Sequence, residues 1–204
     1  MGKITVNYLA HLRLAEDTAQ SRTGNIMGDF RKFLNGQELP GEVYAGIEIH
    51  QRVDRFTDNH PLVLESKTLF SSRRRRFAGI MLDVVFDHFL IRYWDDYYED
   101  RPEEFIQQSY ADLRSMRNIM PPRMKHVVSM MSDHDWLGSY RHLENVGRAL
   151  DGISSRIRFE NTFSGALEEL EKHYLQLETN FQGFYPELVA HIEESRIASG
   201  EKAR

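Results

Sequence analysis

Carboxylate and imidazole side chains recur at helical spacing early in the 204-residue chain, largely within apolar sequence. His50 and Asp54 are four residues apart, as are Asp83 and Asp87, and His88 directly follows Asp87. Because four residues make about one helical turn, each spaced pair shares a helix face. Burying such charges costs free energy unless an opposite charge compensates them. A divalent metal is one compensation, and a salt bridge to a nearby arginine is the other.

The helices that carry these ligands must meet in space for a metal site to form. The chain contains no cysteine, so disulfides, thiolate nucleophiles and cysteine-bound zinc are excluded, and any metal ligands are imidazole and oxygen. Such ligands suit Mn²⁺, Fe²⁺ or Zn²⁺, and a carboxylate-rich set favours Mn²⁺ or Mg²⁺. A metal held in this way activates water for hydrolysis near neutral pH. The residues that we expect to bind the metal are His11, Asp29, His50, Asp83, Asp87 and His88.

Helical periodicity runs along nearly the whole chain and strand alternation is absent, so the sequence predicts an all-α fold. The segment FAGIMLDVVFDHFLIRYWDDY is apolar nearly all round in its middle, which is typical of a central buried helix. Thr23 is predicted to cap an earlier helix. Asp151 and Gly152 are predicted to form a turn, and Pro186 to precede the final helix.

Composition is that of a globular protein, with 41% hydrophobic and 28% charged residues and a net charge of -5. The length suits one hydrophobic core, so we expect a single helical domain at 1–198 and a frayed tail at 199–204. No stretch approaches the roughly 20 apolar residues of a membrane span. The N-terminal segment also lacks the pattern of a secretory signal. We therefore expect a cytoplasmic protein that binds no membrane.

Basic residues are concentrated locally despite the negative net charge. Four consecutive arginines occupy Arg73–Arg76. Cations at the start of a helix oppose its macrodipole, so the run indicates either an acidic partner or an acidic neighbour within the fold. Local basic patches on a modestly acidic protein suit an acidic partner better than nucleic acid. The residues that we expect to bind substrate are Arg52, Arg55, Arg73, Arg74, Arg75 and Arg76.

Four segments together resemble the family of acyl carrier protein phosphodiesterases, also called acyl carrier protein hydrolases. They are NYLAHLRLA at 7–15, GNIMGDFRK at 24–32, GIEIHQRVDRFTDNHP at 46–61 and LDVVFDHFL at 82–90. The segments come in the family's order, and the second half of the chain matches mainly as further helices. The resemblance implies an all-helical, metal-dependent fold that diverges from the HD-domain phosphohydrolases. Asp87-His88 stands where the HD signature reads His-Asp.

The resemblance also implies a reaction, the hydrolysis of 4'-phosphopantetheine from holo-acyl carrier protein, with Mn²⁺ favoured. The basic patches would then steer the carrier protein, which is small and acidic. The expected catalytic residues are Asp54, Asp58 and His60, the last two as candidate proton donors to the leaving serine oxygen. Two alternatives stay open: an HD-like phosphohydrolase that acts on a nucleotide or other small phosphoester, and a non-enzymatic helical adaptor.

Overall fold

Helices account for every regular element in residues 7–156 and 164–198, the two ranges that the computed structural model describes. This confirms the prediction of a single all-α domain, while the expected tail at 199–204 lies outside the described residues. In the described ranges, no helix combines the length and apolar character that a membrane span requires. Within the described residues, 3-10 helices span Gly28–Phe33, Arg75–Phe77 and Arg117–Ile119. The α-helices are α1 (Tyr8–Arg13), α2 (Ala19–Met27), α3 (Gly41–Asn59), α4 (Pro61–Thr68), α5 (Ala78–Arg92), α6 (Trp94–Tyr97), α7 (Pro102–Ser115), α8 (Pro122–Asp133), α9 (Trp136–Ser139), α10 (Leu143–Arg156), α11 (Leu167–Lys172) and α12 (Tyr174–Ala198).

Helix α5 is the central buried helix that its apolar sequence predicts. Val84, Val85, Phe89 and Leu90 are fully buried, and the helix packs against α1, α4, α10 and α12. It is shorter than the apolar segment because a 3-10 turn precedes it and Tyr93 separates it from α6. The burial of α5 on several sides makes it the support against which α1 is held.

Helices α2 and α3 cross closely at a pair of glycines. A Cβ atom at Gly24 would lie 2.1 Å from the carbonyl oxygen of Val43, and one at Gly46 would lie 2.4 Å from that of Ser21. Only glycine permits such an approach of two backbones. The crossing brings the end of α2, and the 3-10 helix that continues it, alongside α3.

The predicted start of α2 is wrong. Thr18, not Thr23, is the N-cap, and its Oγ1 accepts a hydrogen bond from the backbone N–H of Ser21 at 3.1 Å. Thr23 is fully buried within the helix. The earlier threonine satisfies one of the N–H groups that a helix start leaves open, so the helix begins there.

Two predicted breaks in the second half are also wrong. Asp151 and Gly152 lie inside α10, and Pro186 lies inside α12. Proline removes one backbone hydrogen bond and crowds the preceding turn. The helix continues through it because Tyr185 and Leu188, on either side, are both buried in the core. Tertiary packing therefore outweighs the local signal for a break.

Candidate metal centre

Two imidazoles and two carboxylates meet where α1, α3 and the 3-10 helix Gly28–Phe33 come together. His11 Nε2 lies 3.3 Å from Asp54 Oδ1, and His50 Nε2 lies 3.6 Å from both Asp54 Oδ2 and Asp29 Oδ1. The two imidazole rings stack with centroids 4.3 Å apart. The side chain of Asp54 is 21% exposed and that of Asp29 is 10% exposed, whereas both histidines are buried. This His–Asp cluster (His11, Asp29, His50 and Asp54) is therefore nearly enclosed, and Asp54 is its most accessible member.

The first turn of α1 is held in place by Asp87 of α5. The two carboxylate oxygens of Asp87 accept hydrogen bonds from the backbone N–H groups of Leu9, at 3.0 Å, and Ala10, at 3.1 Å. These are donors that a helix start leaves without an intrahelical partner. Burial raises the pKa of Asp87 to about 7, while the two hydrogen bonds and the charge of His11 act to lower it. Both oxygens of this predicted metal ligand are therefore engaged in fixing the helix that carries His11.

Asn25 of α2 sets the orientation and tautomer of His11. His11 Nδ1 donates to Asn25 Oδ1 at 2.8 Å, which leaves a lone pair on Nε2 of the neutral ring facing Asp54. Burial opposes protonation of His11, but the facing carboxylate of Asp54 outweighs it, so the pKa of His11 is raised. Two electron-rich atoms at this distance need a proton or a metal cation between them. The sequence carries a faint signal for this role, since Asn25 lies four residues before Asp29.

Gly28 makes room for the ring of His50. A Cβ atom at residue 28 would lie 2.2 Å from Cδ2 and 2.8 Å from Nε2 of His50. Any residue other than glycine would push the imidazole out of its present position. His50 and Asp54 are one turn apart on α3, so the position of the His50 ring also fixes its distance from the Asp54 carboxylate. The space at Gly28 therefore affects both.

The donor set of the cluster fits a divalent metal. Ligand atoms of His11, His50 and Asp54 all lie within 4.8 Å of one another. Ligand atoms bound at about 2.1 Å to one ion are about 3.0–3.4 Å apart in octahedral or tetrahedral geometry. The observed separations of 3.3 and 3.6 Å are close to these values. Imidazole nitrogen together with carboxylate oxygen suits Mn²⁺, Fe²⁺ or Zn²⁺.

Comparison with known proteins covers nearly the whole chain, the cluster included. A family model described as acyl carrier protein phosphodiesterase matches residues 6–188. The chain belongs to this family. Proteins named acyl carrier protein phosphodiesterase from Escherichia coli O157:H7 (strain EC4115 / EHEC), O139:H28 (strain E24377A / ETEC) and strain K12 / DH10B are each 36% identical over 193 residues, which is 94% of this chain and 100% of each relative. No solved structure matches the chain, so the kinship with HD-domain phosphohydrolases stays a prediction.

The other two predicted ligands of α5 in this family member are His88 and Asp83, and His88 binds groups outside the His–Asp cluster. His88 Nδ1 donates to the carbonyl oxygen of Tyr140 at 2.7 Å, and Nε2 accepts from the hydroxyl of Tyr174 at 2.8 Å. Burial lowers the pKa of His88. Burial raises the pKa of the Tyr8 phenol, and the negative charge of Asp83 raises it further. Asp83 is itself buried. His88 thus joins α5 to α12 and to the end of α9.

Two predicted catalytic residues lie beyond Asp54 along α3. Asp58 is exposed and pairs with Lys67 Nζ at 3.3 Å. His60 caps α4, since its Nδ1 accepts from the backbone N–H of Leu62 at 3.3 Å. His60 Nε2 donates to Glu187 Oε2 at 3.1 Å. These contacts give both side chains partners outside the His–Asp cluster.

The arginines of α3 line a groove that contains none of the cluster residues. Arg52 follows His50 by two positions, which turns it by about 200° around the helix axis. Arg55 follows Asp54 by one position, which turns it by about 100°. Both arginines line this groove of about 500 Å³ together with His60, Glu187 and His191. The structure therefore places them beside a separate groove on α3.

The four-arginine run makes contacts within the fold. Arg74 forms an ion pair with Glu169 at 2.8 Å. Arg75 lies 3.3 Å and 3.4 Å from the carbonyl oxygens of Thr68 and Phe70, to which it donates. An acidic neighbour on α11 therefore compensates part of the charge that the helix start carries.

Proposed function

We propose that this protein hydrolyses the phosphodiester that joins 4'-phosphopantetheine to a serine of holo-acyl carrier protein. The products are apo-acyl carrier protein and free 4'-phosphopantetheine. Membership of the acyl carrier protein phosphodiesterase family supports the reaction and its substrate. The observation that carries the proposal is the His–Asp cluster, a nearly enclosed set of nitrogen and oxygen donors suited to metal-assisted hydrolysis.

The proposal assigns the metal to four residues. His11 Nε2, His50 Nε2 and a carboxylate oxygen of Asp54 would hold it, with Asp29 beside His50 as a further oxygen donor. Mn²⁺ is the first choice because two of the four side chains are carboxylates, which favours Mn²⁺ over Zn²⁺, while the two imidazoles argue against Mg²⁺. When bound, such an ion supplies positive charge at the phosphodiester and lowers the pKa of a water molecule.

The protein's own side chains prepare this place in three ways. Asn25 holds the tautomer of His11, Asp87 holds the helix on which His11 lies, and Gly28 leaves space for His50. Asp54 is the most exposed member of the cluster, so the phosphodiester would approach on its side. We assign the oxygen of Asp54 that does not hold the metal to accept the proton that the attacking water releases, and to pass it to the serine oxygen as the bond from that oxygen to phosphorus breaks.

The first experiment tests the reaction itself. The purified protein, freed of metal with a chelator, is incubated with holo-acyl carrier protein, with and without Mn²⁺, and the carrier protein is followed by intact mass. We expect loss of the whole arm with its phosphate only when Mn²⁺ is present. In ¹⁸O water the label should enter the released 4'-phosphopantetheine. Label in the serine of the carrier protein would overturn attack at phosphorus.

The second experiment tests the metal ligands. His11→Ala, His50→Ala and Asp54→Ala should each lower turnover by about 100-fold or more and weaken Mn²⁺ binding, because each removes a donor. His142→Ala is the matched control, since that histidine is exposed and lies outside the cluster. Wild-type Mn²⁺ binding in all three cluster variants would remove the assignment. A parallel panel of nucleotides separates the proposed activity from that of a small-molecule phosphohydrolase.

A further inference from the structure

A basic surface borders the metal centre on the 3-10 helix that carries Asp29. Arg31 and Lys32 follow Asp29 in this helix, and α8, which packs against it, begins with Pro122 and Arg123. The ammonium of Lys32 and the guanidinium of Arg123 lie 5.2 and 5.3 Å from the centre of the Phe33 ring. Two segments distant in sequence therefore place their cations around one aromatic side chain. We call Arg31, Lys32 and Arg123 the basic face.

The cations of the basic face are not neutralised within the fold. All three residues are exposed. In the part of the chain that the structure describes, none of the three side chains forms an ion pair or a hydrogen bond, although Arg74 does so with Glu169. Arg31 and Arg123 have no acidic residue three or four positions away in the sequence, and Lys32 has only Asp29, three positions before it, whose carboxylate lies 3.6 Å from His50 Nε2. Three neighbouring uncompensated cations on a chain of net charge -5 create a local positive potential that favours an acidic partner.

The basic face also lies within electrostatic reach of the metal centre. Burial raises the pKa of the Tyr8 phenol well above its usual value, the charge of Asp29 raises it further, and the charge of Arg123 lowers it. Arg123 and Asp29 therefore act on the same side chain at the start of α1. Because Arg31 and Lys32 share the 3-10 helix of Asp29, whose carboxylate lies 3.6 Å from His50 Nε2, a protein bound on the basic face would lie next to the His–Asp cluster.

We propose that the basic face docks an acidic surface of the carrier protein and so presents its phosphodiester to the His–Asp cluster. The inference rests on the proposed function for the identity of the partner. Exposed cations attract an acidic surface mainly through their charge, so docking of this kind does not require arginine in particular. Attraction of this kind is screened over about 8 Å at physiological salt, so docking should weaken as salt is added.

The test compares two triple variants of equal charge. Arg31→Gln/Lys32→Gln/Arg123→Gln removes the basic face. Arg101→Gln/Arg148→Gln/Lys172→Gln removes three exposed cations that lie just before α7, in α10 and in α11. Binding of apo-acyl carrier protein to metal-free protein is measured by calorimetry. We expect the first triple to weaken binding by about tenfold or more, and the second to leave it within about twofold of wild type. The first triple should keep wild-type Mn²⁺ affinity and wild-type hydrolysis of bis(p-nitrophenyl) phosphate.

A charge-preserving variant guards against a structural effect. Arg31→Lys/Arg123→Lys should retain most of the binding, because the attraction depends mainly on charge. Equal binding by both triples would overturn the docking proposal even if the wild type removes the arm from holo-carrier protein. Failure of the wild type to bind the carrier protein would overturn it as well. The two proposals can also separate. If only the first triple variant loses binding but the wild type hydrolyses no holo-carrier protein, the docking surface is supported and the proposed reaction is rejected.

Discussion

Replacement of Gly28 by alanine tests whether the proposed metal site depends on the fit between the 3-10 helix and α3. The new Cβ would lie 2.2 Å from His50 Cδ2, whereas ordinary contact begins at 3.4 Å, so the ring must retreat by more than an ångström. Stacking on His11 blocks part of that movement. Metal ligands tolerate shifts of only about 0.5 Å. We expect Gly28→Ala to weaken Mn²⁺ binding by about 10–100-fold, or about 1.4–2.7 kcal/mol.

The measurement is a calorimetric titration of metal-free protein with Mn²⁺, together with turnover of holo-acyl carrier protein. Gly79→Ala is the matched control, because a Cβ at that position in α5 meets nothing within 4 Å. The control should gain up to about 1 kcal/mol of stability, since alanine favours helix more than glycine does. Wild-type Mn²⁺ affinity in Gly28→Ala would show that His50 can move without loss of the site, and the reasoning would be wrong.

Three further predictions concern the contacts that support the site. Asp87→Ala should lower the free energy of unfolding by about 2–4 kcal/mol in urea titrations, because two buried N–H groups of α1 lose their acceptors; an unchanged midpoint would contradict this. Burial lowers the pKa of His88 from 6.5 in the folded state, so the unfolded state binds a proton more readily than the folded state does. The neutral His88 ring therefore contributes fully to stability above pH 6.5, and this contribution is lost as the pH falls through the pKa of the folded state. Between about pH 7.5 and 5.5, the urea midpoint of chelator-treated wild type should therefore fall more than that of His88→Gln, and parallel curves would refute it. A double-mutant cycle of Arg74→Gln and Glu169→Gln should give a coupling energy of up to about 1 kcal/mol, whereas additive effects would show that the ion pair contributes nothing.

Spacing in the sequence predicts which residues share a helix face, but it does not predict which faces meet. His50 and Asp54 are one turn apart and do lie together in the cluster. Asp87 has the same spacing from Asp83, yet its carboxylate accepts hydrogen bonds from the backbone of α1. The adjacent His88 binds the carbonyl oxygen of Tyr140 and the hydroxyl of Tyr174. The sequence is compatible with either role for Asp87, metal ligand or acceptor of backbone hydrogen bonds, because both a metal and backbone donors compensate a buried carboxylate.

The amino-acid sequence by itself determined the all-α class, the central buried helix and the nitrogen and oxygen character of any metal site, because these follow from periodicity and residue type. Only the tertiary structure decided that His11 joins His50, that Asn25 orients it and that Arg123 approaches Phe33. These contacts join residues on different elements, and their distances depend on how helices cross. Buried side chains and glycine pairs set how the helices cross, and no local sequence pattern predicts their combined effect.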